Sequence, residues 1–317
     1  MTTINTNYGI LNDVDNVTFH TNGMVKDCVI NEEVEFETPC GVLIPQHEFT
    51  SHRNKTGYSA SFYETGILRK ISLSDVTQVM TPSGLMPAEL IMFYKSGKIK
   101  KVFPLNGKLS AYWEEDDEYQ LAKESIFVLP FGEVKAKIIA ITFYEDGAIR
   151  DLTFWPKEVI KIATPIGETA VRIGFSLYPD GNIKSIEPAY QSAIQTPIGE
   201  IKAFDMEASG ISGDTNSLNF TQEGKIKSLI TSINKVIISN DNGETSIYSP
   251  EQSIDIDGLE VAFVPLKITF EDNAVIFNDT ETCDINHAQF KIEPYIKKAH
   301  SMCSDCASCG QSCGTTN

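Results

Sequence analysis

The chain has 317 residues, 41% of them hydrophobic and 22% charged, which suits a self-sufficient core and excludes a disordered chain. No apolar run approaches the length of a membrane span, and the opening MTTINTNYGILNDVDN lacks the basic and apolar regions of a signal peptide. Twenty-six basic against 43 acidic residues give a formal net charge of −17, which repels phosphate backbones; the expectation is a cytoplasmic protein with a protein partner, no nucleic acid and no membrane span.

From the N-terminus, the first strong signal is HTNGMVKDC, His20 to Cys28. It returns as FYETGILRKI, FYKSGKIKKV, FYEDGAIRDL, LYPDGNIKSI and FTQEGKIKSL, with a decayed further copy, TFEDNAVIF, around residue 273. An aromatic strand runs into a polar pair and a glycine, which supplies the positive φ of a hairpin loop closed by a bulge. Beyond each glycine, apolar residues fall two and five positions on: Val25 and Cys28, Leu68 and Ile71, Ile99 and Val102, Ile149 and Leu152, Ile183 and Ile186, Ile226 and Leu229. That gap breaks the alternation of a strand, so each copy must absorb one extra, bulged residue.

The third residue after the glycine is basic in all six copies: Lys26, Arg69, Lys100, Arg150, Lys184 and Lys227. Stacked in register, these residues would make a cationic ladder for an anion or acidic partner. The plainer reading, which we favour, is a solvent-facing row that discourages edge-to-edge pairing.

A second turn signal interleaves with the first. Thr38-Pro39-Cys40-Gly41, Thr81-Pro82-Ser83-Gly84, Thr164-Pro165-Ile166-Gly167 and Thr196-Pro197-Ile198-Gly199 read as proline-led turns. Leu129-Pro130-Phe131-Gly132 and Asn240-Asp241-Asn242-Gly243 read as weaker equivalents. From hairpin glycine to the following proline is 16 residues at Gly23, Gly66 and Gly181, and 18 at Gly147. A chain reversing at that rhythm predicts an all-β fold: an elongated antiparallel meander or β-roll of repeated hairpins over residues 1–295, with a sub-domain break allowed near 104–126. A flexible cysteine-rich tail, 296–317, follows.

Extra residues interrupt the rhythm at 42–57, 104–126, 205–216 and 244–258, and binding loops tend to arise in such insertions. The first holds His47, Glu48 and His52, a weak spacing for zinc. The second predicts a helix over Asp116–Glu124, with Glu114, Glu115, Asp116, Asp117 and Glu118 read as its solvated N-terminus beside Trp113. Trp155 reads as a packing residue at a strand end. In the third, Gly210–Ser217 reads as an exposed polar loop in which Asp214, Asn216 and Ser217, with Asp205 nearby, offer groups for a small ligand. Cys28 occupies a core slot, whereas Cys40 occupies a variable turn position and is expected at the surface.

The phrase FYEDGAIRDL resembles the core of MORN-like β-hairpin repeats over about ten residues per copy, and the chain is similar to uncharacterised bacterial and archaeal proteins that carry FYxxG and TPxG phrases. The MORN resemblance implies scaffolding and protein or lipid contact, of which the anionic charge disfavours lipid.

The chain closes on Cys303, Cys306, Cys309 and Cys313, spaced C-x2-C-x2-C-x3-C. The run resembles the iron–sulfur motif of ferredoxins, which implies a 4Fe-4S cluster. Gly314 stands where that motif has proline, and no second run is present, so Cys313 itself or a remote ligand such as Cys283 would complete the thiolates. His300 lies three residues before Cys303, and zinc is an equal alternative. Disulfides and a metal-free thiol-rich tail remain open. No GxSxG, HExxH, Walker or Rossmann motif occurs, so an enzyme would need an unrecognised site in the insertion loops. The sequence-level expectation is a non-enzymatic β-repeat scaffold carrying a metal or cluster on its tail, with a pure interaction module as the alternative.

Overall fold

A computed structural model describes residues 2–48, 53, 57–107, 109, 112–209, 213, 216–254 and 261–295. Almost every element among them is a strand; the exceptions are one α-helix, Glu115–Leu121, and one 3-10 turn, Ile285–His287. The helix begins one residue before the predicted start and ends three before the predicted end.

One large sheet is an antiparallel meander in which sequence neighbours are spatial neighbours. Thr2–Thr6, Gly9–Phe19 and Val25–Ile30 lead to Ala60–Phe62, Leu68–Thr81, Gly84–Phe93 and Ile99–Phe103. Gly132–Phe143, Ile149–Phe154, Gly167–Leu177, Ile183–Pro188, Leu218–Phe220 and Ile226–Thr231 continue it. Leu266–Phe270, Ala274–Phe277 and Glu281–Asp284 finish it. The ladder runs on across the 104–126 insertion, because Val102 pairs with Ile141.

The bulge inferred from the apolar spacing is present in each of the six hairpins. Phe19 pairs with Val25 and Thr18 with Asp27, leaving Lys26 unopposed. The same shift leaves out Arg69, Lys100, Arg150, Lys184 and Lys227. Past the bulge, the apolar residue five after each glycine joins a cross-strand row that spans the sheet. It runs Cys28, Ala60, Ile71, Ile91, Val102, Ile141, Leu152, Phe175, Ile186, Leu218, Leu229, Ile268, Phe277, each directly opposite the next. All are at most 1% exposed, and this row is the spine of one continuous hydrophobic core. The neighbouring row, on the other face, is polar except at Met92: Asp27, Ser61, Lys70, Met92, Lys101, Thr142, Asp151, Ser176, Ser185, Asn219, Ser228.

Hydrogen bonds fix the two turn types. In the glycine hairpins the Gly66 N–H donates to Tyr63 O and the Tyr63 N–H to Ile67 O, with Gly66 at φ 78°. Gly23, Gly97, Gly147, Gly181 and Gly224 repeat that geometry. So does Gly243, which corrects its reading as a proline-type turn: the Asn240–Gly243 turn belongs to the first class. In the second class Thr81 pairs directly with Gly84, and Thr81 Oγ1 donates to Gly84 O at 2.8 Å. Thr38, Thr164 and Thr196 do the same, and so does Thr6 of Thr6-Asn7-Tyr8-Gly9, a copy with asparagine in place of the proline.

Long strands serve both classes. The first half of Gly132–Phe143 pairs with Glu124–Leu129 around the Leu129–Gly132 turn, and its second half pairs with Ile149–Phe154 in the meander. Gly167–Leu177 is divided the same way by Val159–Thr164. The division at Ile173 is strained, a β-branched residue at φ 63°. Gly174 follows because a Cβ there would strike the Leu152 carbonyl. The decayed copy turns tightly without glycine, Glu271 N–H donating to Ala274 O.

Candidate functional site

Cys303, Cys306, Cys309 and Cys313, with His300, lie outside the described residues, as do His52 and Asp214. Among the described residues no group of three or more His, Cys, Asp and Glu side chains is arranged to hold a metal ion. His47 Nδ1 lies 2.9 Å from Ser74 Oγ and 3.2 Å from Pro45 O. Cys28 is fully buried, and burial pushes its thiol up to about 12, in keeping with an inert core residue. Cys40 corrects its sequence reading: it is 7% exposed, its thiol raised by burial and set 3.1 Å from Thr38 Oγ1. Cys283 pairs in the sheet opposite Val275.

A repeated side-chain bond ties the hairpins together. In four of the six phrases a tyrosine three residues before the glycine donates its hydroxyl to a carbonyl of the next hairpin: Tyr63 to Phe93 O, Tyr94 to Phe143 O, Tyr144 to Leu177 O and Tyr178 to Phe220 O, each at 2.8 Å. His20 Nε2 meets Phe62 O at 2.9 Å in the same position. Each accepting carbonyl belongs to the residue just before the hairpin loop, where the bulge breaks the ladder. This explains why the first five copies carry tyrosine or histidine there, where the sixth has Thr221: a phenylalanine has no group to offer that carbonyl.

The basic row faces out beside this ladder. Arg69 Nη2 sits 3.1 Å from Asp27, Arg150 Nε 3.8 Å from Asp151, and Lys100 and Lys184 lie over the rings of Tyr94 and Tyr178 at 5.6 and 6.0 Å. Three of the cations thus have partners within their own repeats and Arg69 has one in the repeat before it, which supports the plainer reading of the row.

Two insertions hold buried ion clusters. Arg53, from the first insertion, clamps Glu89 with Nη1 and Nη2 at 2.6 and 2.8 Å and Glu118 with Nε and Nη2 at 2.8 and 2.6 Å. Trp113 Nε1 and the Gly107 N–H complete Glu118, and the Asn106 N–H donates to Glu89. Burial alone would raise the Glu118 carboxyl, but hydrogen bonds from Arg53, Trp113 and Gly107 outweigh it and hold the group below its ordinary range. Glu118 is 2% exposed, so the acidic run is not wholly solvated as the sequence suggested. Trp155 is buried as expected, edge-on to Tyr119.

The second cluster lies on the polar face of the sheet under the 205–217 loop. Glu187, 1% exposed, accepts the Ser217 N–H at 2.8 Å and faces Arg172 Nη2 at 3.4 Å. Arg172 also donates to Asp205 O at 2.7 Å and stacks 4.5 Å over the Phe204 ring. Burial raises the Glu187 carboxyl despite those partners. Asn216 and Ser217 are 4% and 1% exposed, which corrects the reading of 210–217 as a wholly exposed loop. Asn216 Nδ2 donates to Ser185 Oγ and Gly213 O, and the Gly213 N–H donates to Thr153 Oγ1. These bonds close the loop onto the sheet.

Among the concave features of the described residues are two that lie where the two rows of turns meet. One, about 570 Å³, is lined by Pro39, Cys40, Ile67, Met80, Gly97 and Asp146 among others. A second, about 540 Å³, lies over Pro130, Pro165, Gly181 and Gly224. No family model matches the chain, and no curated protein or solved structure matches it.

Proposed function

We propose that the protein is a non-enzymatic β-repeat scaffold that engages a protein partner and carries a metal ion or iron–sulfur cluster on Cys303, Cys306, Cys309 and Cys313. The observation that supports the scaffold is the tyrosine ladder, which makes each hairpin's free carbonyl the anchor of the hairpin before it. Such an array holds a long surface in register. The ion pairs of Arg53 and Arg172 serve the same end, fastening insertions to the sheet.

The metal half rests on chemistry and spacing. Four closely spaced thiolates suit a tetrahedral zinc site or an iron–sulfur cluster. The body supports placing the metal on the tail, since Cys28 and Cys40 are buried with raised thiols. The test is iron, sulfide and zinc content and the visible spectrum of protein purified anaerobically, beside a Cys303→Ser/Cys306→Ser/Cys309→Ser variant. Metal in the wild type and none in the variant bears the reading out. A metal-free wild type refutes it and leaves the hairpin array as the functional surface.

A further inference from the structure

The two rows of turns pack by a rule. In four of the six turns of the second class, the second residue lies against the glycine of the second hairpin that follows it in the chain. A Cβ built on Gly147 would meet Pro82 at 3.3 Å, one on Gly181 would meet Pro130 at 2.7 Å, and one on Gly224 would meet Pro165 at 3.2 Å. Asn7, which holds the proline position of the Thr6–Gly9 turn, comes to 2.7 Å of the same point on Gly66. Four times, then, the chain fills the seat over a hairpin glycine with its own side chain.

At Gly97 the seat is open. Pro39 is the residue that the rule assigns to it, yet a Cβ on Gly97 would meet only Ile67 Cγ2, at 3.9 Å. Pro39 and Gly97 instead both line the groove of about 570 Å³, within the size range of pockets that bury a ligand. Pro197 also lies apart from its glycine, but Gly243 belongs to a separate three-stranded sheet, Thr245–Tyr248, Asn234–Asn240 and Ala288–Pro294. The open seat therefore lies within the regular array.

The walls of the seat are apolar, from Ile67, Leu68, Phe93 and Ile99, and Met80 on the rim is 59% exposed. Its charged lining residues are Lys98, Glu145 and Asp146, and Lys98 Nζ is already engaged with Glu145 O at 3.0 Å. The rim is thus net acidic, on a chain whose formal charge is −17. We propose that the seat over Gly97 docks a tight turn of a partner protein that inserts one proline or aliphatic side chain and carries lysine or arginine on either side. The occupant's shape follows from what fills the equivalent seats, and its charge from the rim. This deepens the partner-engaging half of the proposed function and does not depend on the tail.

The probe is a fluorescein-labelled cyclic peptide that presents Thr-Pro-Ile-Gly, the chain's own seat-filling turn, between two lysines; its comparison peptide has glutamates instead. Fluorescence anisotropy is read on full-length wild type, Ser96→Trp and Glu145→Lys. Ser96 is exposed and lines the groove, so tryptophan there fills the seat without entering the core. The expected result is saturable binding of the lysine peptide below about 1 mM, at least about tenfold tighter than the glutamate peptide. Ser96→Trp should weaken it about tenfold at an unchanged melting temperature, and Glu145→Lys should narrow or invert the charge preference. No binding, equal binding of both peptides, or binding indifferent to both substitutions overturns the proposal. Metal content of the same preparations reports on the tail separately, so the two readings fail independently.

Discussion

Replacing Tyr144 by phenylalanine removes one hydroxyl from the ladder and little else. The lost bond is the 2.8 Å donation to Leu177 O, in a part-buried position. Such a bond contributes about 1 kcal/mol net, and a stranded carbonyl can cost about 1 kcal/mol more where water does not reach it. Tyr144→Phe should therefore destabilise by about 1–2 kcal/mol, and Tyr94→Phe, which frees Phe143 O, by a similar amount. Tyr190 is 65% exposed and takes no part in the ladder, so Tyr190→Phe is the control. Urea unfolding of the three single variants and the Tyr94→Phe/Tyr144→Phe double measures the costs and their coupling, expected to be at least about 0.5 kcal/mol for adjacent rungs. Burial raises the Tyr144 hydroxyl above its ordinary pKa, so its contribution is complete below the unfolded value near 10 and is lost as pH rises through the folded one. The wild type should lose stability above about pH 10 faster than the variant. Rung variants indistinguishable from Tyr190→Phe would refute the ladder as a structural device.

Arg53→Met leaves Glu89 and Glu118 buried without their cation and should cost about 3–5 kcal/mol by thermal or chemical unfolding. Because the Glu118 carboxyl is held below its ordinary range, the pair stabilises fully above the unfolded pKa of about 4.3 and loses that contribution as pH falls through the folded value; the deficit of Arg53→Met should shrink in acid. Glu187 has the opposite sign: its raised carboxyl stabilises below the unfolded pKa and ceases to as pH climbs through the folded one, so Glu187→Gln should gain on wild type as pH rises above the unfolded value of about 4.3 in pH-dependent melting. Gly147→Ala forces a side chain into φ 98° against Pro82 and should cost about 1–3 kcal/mol, read as a lowered unfolding midpoint.

Much of the architecture was legible because it rests on local chemistry repeated many times. Glycine at a fixed offset from two apolar residues dictated both the turn and the bulge, and the unopposed residue proved to be the basic one in each of the six hairpins. Asn240–Gly243 was misread because an Asn-led turn with glycine fourth suits either class; only the backbone bond from Asn240 N–H to Glu244 O distinguishes them. Thr6–Gly9 was missed because proline was taken as the mark of the turn, whereas the working group is the threonine hydroxyl on the glycine carbonyl. The burial of Glu118 had no local signal at all, since its partner Arg53 lies 65 residues away in another insertion. Asn216 and Ser217 look like loop residues by composition, and it is bonding to Ser185 and Glu187, on a distant strand, that draws them in.

In the proposed function a self-standing hairpin body and a metal-carrying tail divide the labour. The most direct measurement compares the full chain with one ending after Tyr295, both purified anaerobically, for metal content and melting temperature. Metal is expected in the full chain and none in the shortened one, with the same melting temperature for both once the metal is chelated. Metal retained by the shortened chain, or none in the full one, would overturn that division.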